Sequence, residues 1–86
     1  SLIDLYASWG VDFLKIDGSF VKDMDTNPVN RAMVEAINNL GHIMGIKTIA
    51  EFVHNDAIVQ KLKSFGVDYA QGFHISRPKP LGTLLP

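Results

Sequence analysis

Apolar positions fall in three blocks, each closed by a glycine and followed by a short apolar run ending on a polar side chain. Leu2, Ile3, Leu5, Tyr6 and Trp9 lie at helical spacing before Gly10, and residues 11–16 then read as a strand. Asp17-Gly18-Ser19 reads as a turn, with a short helical turn over 19–24. Asn27 is a good N-cap and Pro28 suits the first helical position. Val29, Met33, Ala36, Ile37, Leu40, Ile43 and Met44 repeat at three- and four-residue steps, which predicts a helix over 28–44 with that stripe as its one buried face. Gly45 stops it, and a strand follows over 46–50. A second helix is predicted over 55–65, capped by Asn55, with Ile58, Val59, Leu62 and Phe65 inward and Gly66 as the stop. A third strand follows over 67–71. Pro78 and Pro80 bar the tail Ser76–Pro80 from a helix or a central strand, and Leu81–Leu85 reads as the start of another helix.

The order is thus helix end, β, α, β, α, β, with crossovers of helical length, which make strands parallel. Gly10-Val11-Asp12-Phe13-Leu14-Lys15 recurs as Gly66-Val67-Asp68-Tyr69-Ala70-Gln71, with Gly45-Ile46-Lys47-Thr48-Ile49-Ala50-Glu51 between them. These are units of an α/β, TIM-like (β/α) barrel, whose strand ends carry the site. Three units make part of a barrel, so the chain reads as one portion of a larger domain. Standing alone, it would leave Phe13, Ile49 and Tyr69 facing water beside two open sheet edges, which predicts self-association.

Composition narrows the partners. The chain has 86 residues, no cysteine, 47% hydrophobic residues and a formal net charge of -1. It can bury a small core, and it lacks thiols for disulfides or thiolate chemistry. The charge balance offers nothing to DNA or RNA or to an anionic membrane surface. No apolar run approaches the roughly 20 residues of a membrane span, and a cytoplasmic location is the expectation, with membrane anchoring of the larger protein through other domains left open.

Alternation along each strand turns Lys15, Glu51 and Gln71 to one side, at similar heights on neighbouring strands. A lysine, a carboxylate and an amide together suit hydrolysis at a phosphoryl centre: Lys15 to offset developing charge, Glu51 to hold a metal ion or take a proton, Gln71 to orient water. Lys15, Glu51 and the neighbouring Asp17 also have plainer readings. Lys15 would be a solvated strand end, Glu51 a cap for the next helix, and Asp17 a cap for its own turn. His42, His54 and His74 match no zinc pattern and read as structural or surface groups. Met24, Met33 and Met44 read as core filler, and Lys61 and Lys63 as a solvated helix face.

Phe13-Leu14-Lys15-Ile16-Asp17, Thr48-Ile49-Ala50-Glu51-Phe52-Val53 and Asp68-Tyr69-Ala70-Gln71-Gly72-Phe73 together resemble the EAL-domain family, bacterial phosphodiesterases that linearise cyclic di-GMP. The resemblance covers essentially the whole chain and looks like the C-terminal third of that domain, with its last three barrel strands. It implies hydrolysis assisted by two Mg²⁺ or Mn²⁺ ions. By similarity Lys15 contacts the catalytic water or phosphate, Glu51 stands at the metal–water centre, and Gln71 supports the water network. Phe73, Arg77 and Pro78 would line the guanine pocket. The chain departs from the family at His54, where the motif A-E-x-V-E has its second glutamate, a change of charge and reach. The E-A-L motif itself, the metal-binding Asn and Glu of the middle strands and the D-D-F-G-x-G loop are absent from these 86 residues. The chain alone is therefore expected to bind metal poorly and to be inactive. Three readings follow: part of an active phosphodiesterase, a degenerate domain serving as a cyclic di-GMP receptor or interaction module, or a barrel of another chemistry.

Overall fold

A computed structural model describes residues 12–72 and 75–84. The predicted helix end before Gly10, and Phe73 and His74, lie outside them. Four strands form one sheet in the order β1 (Phe13–Ile16), β2 (Lys47–Val53), β3 (Tyr69–Gly72), β4 (Ile75–Pro80). β1–β2 and β2–β3 are parallel and β3–β4 is antiparallel. A short helix α1 (Gly18–Val21) and the long α2 (Pro28–Ile43) connect β1 to β2, and α3 (Asp56–Phe65) connects β2 to β3.

The caps are those the sequence signals. Asn27 Oδ1 accepts from the N–H groups of Val29 and Asn30 at 3.1 Å each, and Asn55 Oδ1 accepts from Ile58 N–H at 2.8 Å. Gly66, at φ 78°, ends α3 in the left-handed conformation. The tail differs from a bare loop: β4 is an antiparallel edge strand, the place in a sheet where Pro78 and Pro80 are tolerated for want of an N–H. The helix expected from Leu81 is a 3₁₀ turn over Leu81–Thr83, with Leu81 buried.

One sheet face carries Ile16, Ala50, Val53 and Ala70 and packs against Val34 of α2 and Ile58, Val59 and Leu62 of α3, with Val21, Met24, Val67 and Leu81 closing the cluster. The face of α2 turned to the sheet is only in part the predicted one: Ile37 packs against the core as expected, but the rest of the stripe does not. Val34, Asn38 and Gly41 are buried, while Val29, Met33, Leu40, Ile43 and Met44 are exposed, Ile43 at 83%. Close packing decides this. A Cβ on Gly41 would stand 2.8 Å from Thr48 Cγ2 and 3.1 Å from Leu14 Cδ2, so α2 approaches the sheet where it has no side chain. Of the three methionines only Met24 fills the core. Lys63 is also tied down, donating from Nζ to the Leu84 carbonyl.

Asn38 anchors the N-terminal ends of the strands. Its amide donates to the Phe65 carbonyl at 2.8 Å and its Oδ1 accepts the Thr48 hydroxyl proton at 2.6 Å. Asp68 Oδ2 accepts from Thr48 N–H at 2.9 Å and from His42 Nε2 at 2.7 Å. These bonds explain why β3 begins at Tyr69 rather than at the predicted residue 67: the Asp68 side chain takes up a β2 amide.

The opposite face carries Phe13, Lys15, Ile49, Glu51, Tyr69 and Gln71. Ile49 and Tyr69 are only 2% and 5% exposed, contrary to the expectation that they face water. Phe13 and Tyr69, two strands apart, meet edge to face with ring centroids 5.7 Å apart, and so arch over β2.

Candidate functional site

The site is built at the C-terminal end of the parallel strands. β1 supplies Lys15, which is exposed and pairs in register with Ile49 and, through it, with Tyr69. Glu51 and Gln71 each lie one inward-facing step further on, about 6.6 Å along the strand. The similar heights expected for the three groups therefore hold only for Glu51 and Gln71, and Lys15 stands a step lower on a flexible four-carbon stem.

A bulge sets the Glu51–Gln71 relation. Ala50 pairs with Ala70 and Val53 with Gly72, so Glu51 and Phe52 together stand opposite Gln71. Two residues against one is a β-bulge, a device that re-aims side chains and is rare between parallel strands. Its turn falls on Phe52, which has φ 65°. It also lets Val53 rejoin the core on the same face as Ala50. β2 thereby runs to Val53, three residues past its predicted end. Gly72 completes the arrangement: a Cβ there would lie 2.1 Å from the Val53 carbonyl oxygen and 2.6 Å from its nitrogen. The two backbones approach at a distance only glycine permits.

β4 closes the other flank of Gln71. Ala70 pairs with Lys79 and Gly72 with Ile75, which leaves Gln71 opposite the segment Ser76–Pro78. Arg77 is exposed and Pro78 half-buried there. The register thus brings Arg77 and Pro78 to Gln71, while Phe73 lies outside the described residues.

Two further groups shape the rim. Asp17 caps α1: its Oδ2 accepts from Ser19 N–H at 3.1 Å and from the Ser19 hydroxyl, and these bonds hold its carboxyl below the usual range. That is the capping role expected of it. His54, at the position where the family motif has glutamate, donates from Nε2 to the Lys22 carbonyl at 2.5 Å. Asn55 Nδ2 donates to Asp25 Oδ2 at 3.1 Å beside it. Both bonds tie the end of β2 to the segment after α1, so His54 serves as a donor where a carboxylate could not.

Glu51 is half-buried and presents hard oxygen donors, which suit Mg²⁺ or Mn²⁺ as one part of an octahedral shell. Among the described residues no group of three or more His, Cys, Asp or Glu stands together to hold a metal. The strand ends fit one or two ligand positions, not a complete set. Phe52 and Gly72 were missed as site-forming residues by sequence reasoning. Glycine directly after the last strand glutamine is a readable signal of close backbone approach, whereas nothing in the pattern marks Phe52.

In parallel β/α sheets, TIM-like barrels among them, the site gathers at the C-terminal ends of the strands, and Glu51 and Gln71 stand at that end here. Comparison with known proteins narrows this. A family model described as the EAL domain matches residues 2–78. The chain belongs to the EAL-domain family. It is 44% identical over 84 residues to the cyclic di-GMP phosphodiesterase PdeB of Shewanella oneidensis, covering 91% of this chain and 10% of that protein. It is 38% identical over 71 residues to the cyclic di-GMP phosphodiesterase PdeA of Borreliella burgdorferi, covering 83% of this chain and 11% of that protein. Among solved structures, the EAL domain of Mycobacterium smegmatis DcpA superposes with a TM-score of 0.71 at 35% identity, over 95% of this chain and 37% of that one. The Pseudomonas aeruginosa MucR phosphodiesterase in complex with c-di-GMP gives 0.70 at 35% identity, over 86% and 30%. The chain spans about a tenth of the length of the sequence relatives it matches.

Proposed function

We propose that residues 1–86 are the C-terminal portion of a single EAL-type barrel domain and contribute its last strands to the active site of a cyclic di-GMP phosphodiesterase, which hydrolyses its substrate to linear pGpG. The observation that carries this reading is the bulge that sets Glu51 opposite Gln71 on the sheet face shared with Lys15. The names of the relatives support the substrate class.

Each side chain then has a role. Glu51 accepts a proton from the attacking water or holds a divalent ion. Lys15 offsets the negative charge that develops on the phosphoryl oxygens as water adds and the P–O ester bond breaks. Gln71 orients the water by donating from its amide. Arg77, Pro78 and Phe73 line the pocket for a guanine. Mg²⁺ or Mn²⁺, when bound, polarises the phosphodiester and lowers the pKa of water. With Glu51 the single carboxylate of this group, the 86-residue chain alone is expected to be inactive. The site is expected to work in the cytoplasm, and among the described residues no helix is long and apolar enough to cross a membrane.

The test is turnover of cyclic di-GMP with Mg²⁺ by the full-length protein carrying this chain, compared with Glu51→Gln and Lys15→Ala. Loss of turnover by a hundredfold or more, at the low end of what a positioned acid–base group contributes (roughly 10²–10⁴-fold), supports the assignment. Turnover unchanged by Glu51→Gln removes it. Tight binding by the wild type without turnover makes the protein a receptor.

A further inference from the structure

Phe52 stands out in the described chain on two independent counts. It is the one residue other than glycine among those described with a left-handed backbone, at φ 65°. A bulky side chain there is a steric outlier, and such strain gathers at functional sites. Its side chain is also 57% exposed, so the strained position gains little from burial.

Its location connects these facts to the site. Phe52 shares the bulge with Glu51 opposite Gln71. A Cβ placed on Gly18 would lie 2.9 Å from Phe52 Cβ and 3.0 Å from its Cδ2. The edge of the ring therefore rests on the backbone that follows Lys15 and Asp17, and Gly18 leaves room for it. The ring bridges the ends of β1 and β2 at the rim, with one edge seated and the remainder open to solvent.

We propose that the exposed face of Phe52 is a stacking surface for a purine base of the nucleotide ligand. This deepens the phosphodiesterase reading and rests on it. A π-face at the rim of a phosphoryl site takes a planar base without reading its hydrogen-bonding edge, and a ring seated on one edge loses little freedom when the base covers it. Holding the base there leaves the phosphodiester to reach inward toward Glu51 and Lys15.

Titration calorimetry of the full-length protein with cyclic di-GMP, in EDTA so that turnover does not intrude, tests this beside thermal unfolding of the same variants. Phe52→Tyr keeps affinity within about twofold, whereas Phe52→Leu and Phe52→Gly lose about tenfold, within the range for one base–aromatic stack. Phe52→Gly does not lower the melting temperature, because glycine adopts φ 65° without strain. Unchanged affinity in Phe52→Leu overturns the inference, as does an affinity loss that tracks a lowered melting temperature in both variants. Absence of any binding by the wild type overturns the phosphodiesterase reading itself, and the inference with it.

Discussion

Gly72→Ala tests the geometry of the site directly. Its Cβ would stand 2.1 Å from the Val53 carbonyl oxygen, 2.6 Å from the Val53 nitrogen and 2.8 Å from the Val53 carbonyl carbon. Ordinary contact begins at 3.4 Å, so β3 must withdraw from β2 by about 1.3 Å. No side chain can swing aside, because every clashing atom is backbone. Strands normally about 4.8 Å apart would separate to about 6 Å at this end. Overpacking of this kind costs about 1–3 kcal/mol, and each ladder hydrogen bond lost adds about 0.5–1.5 kcal/mol. We expect about 2–5 kcal/mol in all, a large share of the 5–15 kcal/mol that holds a typical domain together. Urea denaturation of the full-length protein measures it, with two comparisons. Gly82→Ala meets nothing within 4 Å and should stay within about 0.5 kcal/mol of wild type. Gly41→Ala meets the movable end of Leu14 and the better-held Thr48 Cγ2, and about 1 kcal/mol of helix propensity works in its favour, so it should fall between. A Gly72→Ala protein as stable as Gly82→Ala would refute the close-approach argument and the bulge geometry built on it.

Three further predictions follow from other parts of the structure. Asp68→Asn keeps the shape of the Thr48 and His42 bonds but makes them neutral, and should cost about 1–2 kcal/mol by urea denaturation; His42→Ala should then cost less in that background than alone, and equal costs would show the pair to be uncoupled. The Asp23 carboxyl is held below its ordinary value, chiefly by the Asn30 amide at 2.8 Å, and Asp17 likewise by Ser19. A depressed folded pKa stabilises the fold above the unfolded value of about 4 and ceases to do so as pH falls through the folded value, so the acid-induced drop in the urea midpoint should be smaller in Asp23→Asn than in wild type. The 86-residue chain on its own should self-associate through the edge of β1, which pairs only with β2 among the described residues, and a monodisperse monomer in sedimentation velocity would end that expectation.

Much of this was legible from local pattern. Asn27-Pro28 and Asn55 announce helix starts because a capping oxygen needs only its own next three residues. Gly66 announces a helix end because a left-handed residue is a local requirement. The apolar runs before Lys15, Glu51 and Gln71 announce strands, and alternation puts all three on one face. The inward face of α2 was misread in part because hydrophobicity, which seats Val34 and Ile37 in the core, is not all that seats that helix. Gly41 lets it approach, and the buried Asn38 bridges Thr48 and Phe65, residues ten and 27 positions away.

The sequence by itself determined the order of elements from β1 to β3, the parallel topology of those strands, the family and the identity of the polar strand ends. These depend on spacing within a few residues and on crossover length, which a single chain displays in one dimension. Tertiary structure alone decided that Glu51 faces Gln71 while Lys15 sits one step lower, that β4 folds back as an edge strand beside Gln71, and that Phe52 stands strained and open at the rim. The first and last are matters of register between strands about 20 or more residues apart, where adding one residue to one strand turns side chains over, and β4 pairs with β3 across a short antiparallel connection that the prolines of the tail conceal. Backbone proximity at Gly72 and Val53 sets that register, and no periodicity along the chain records it.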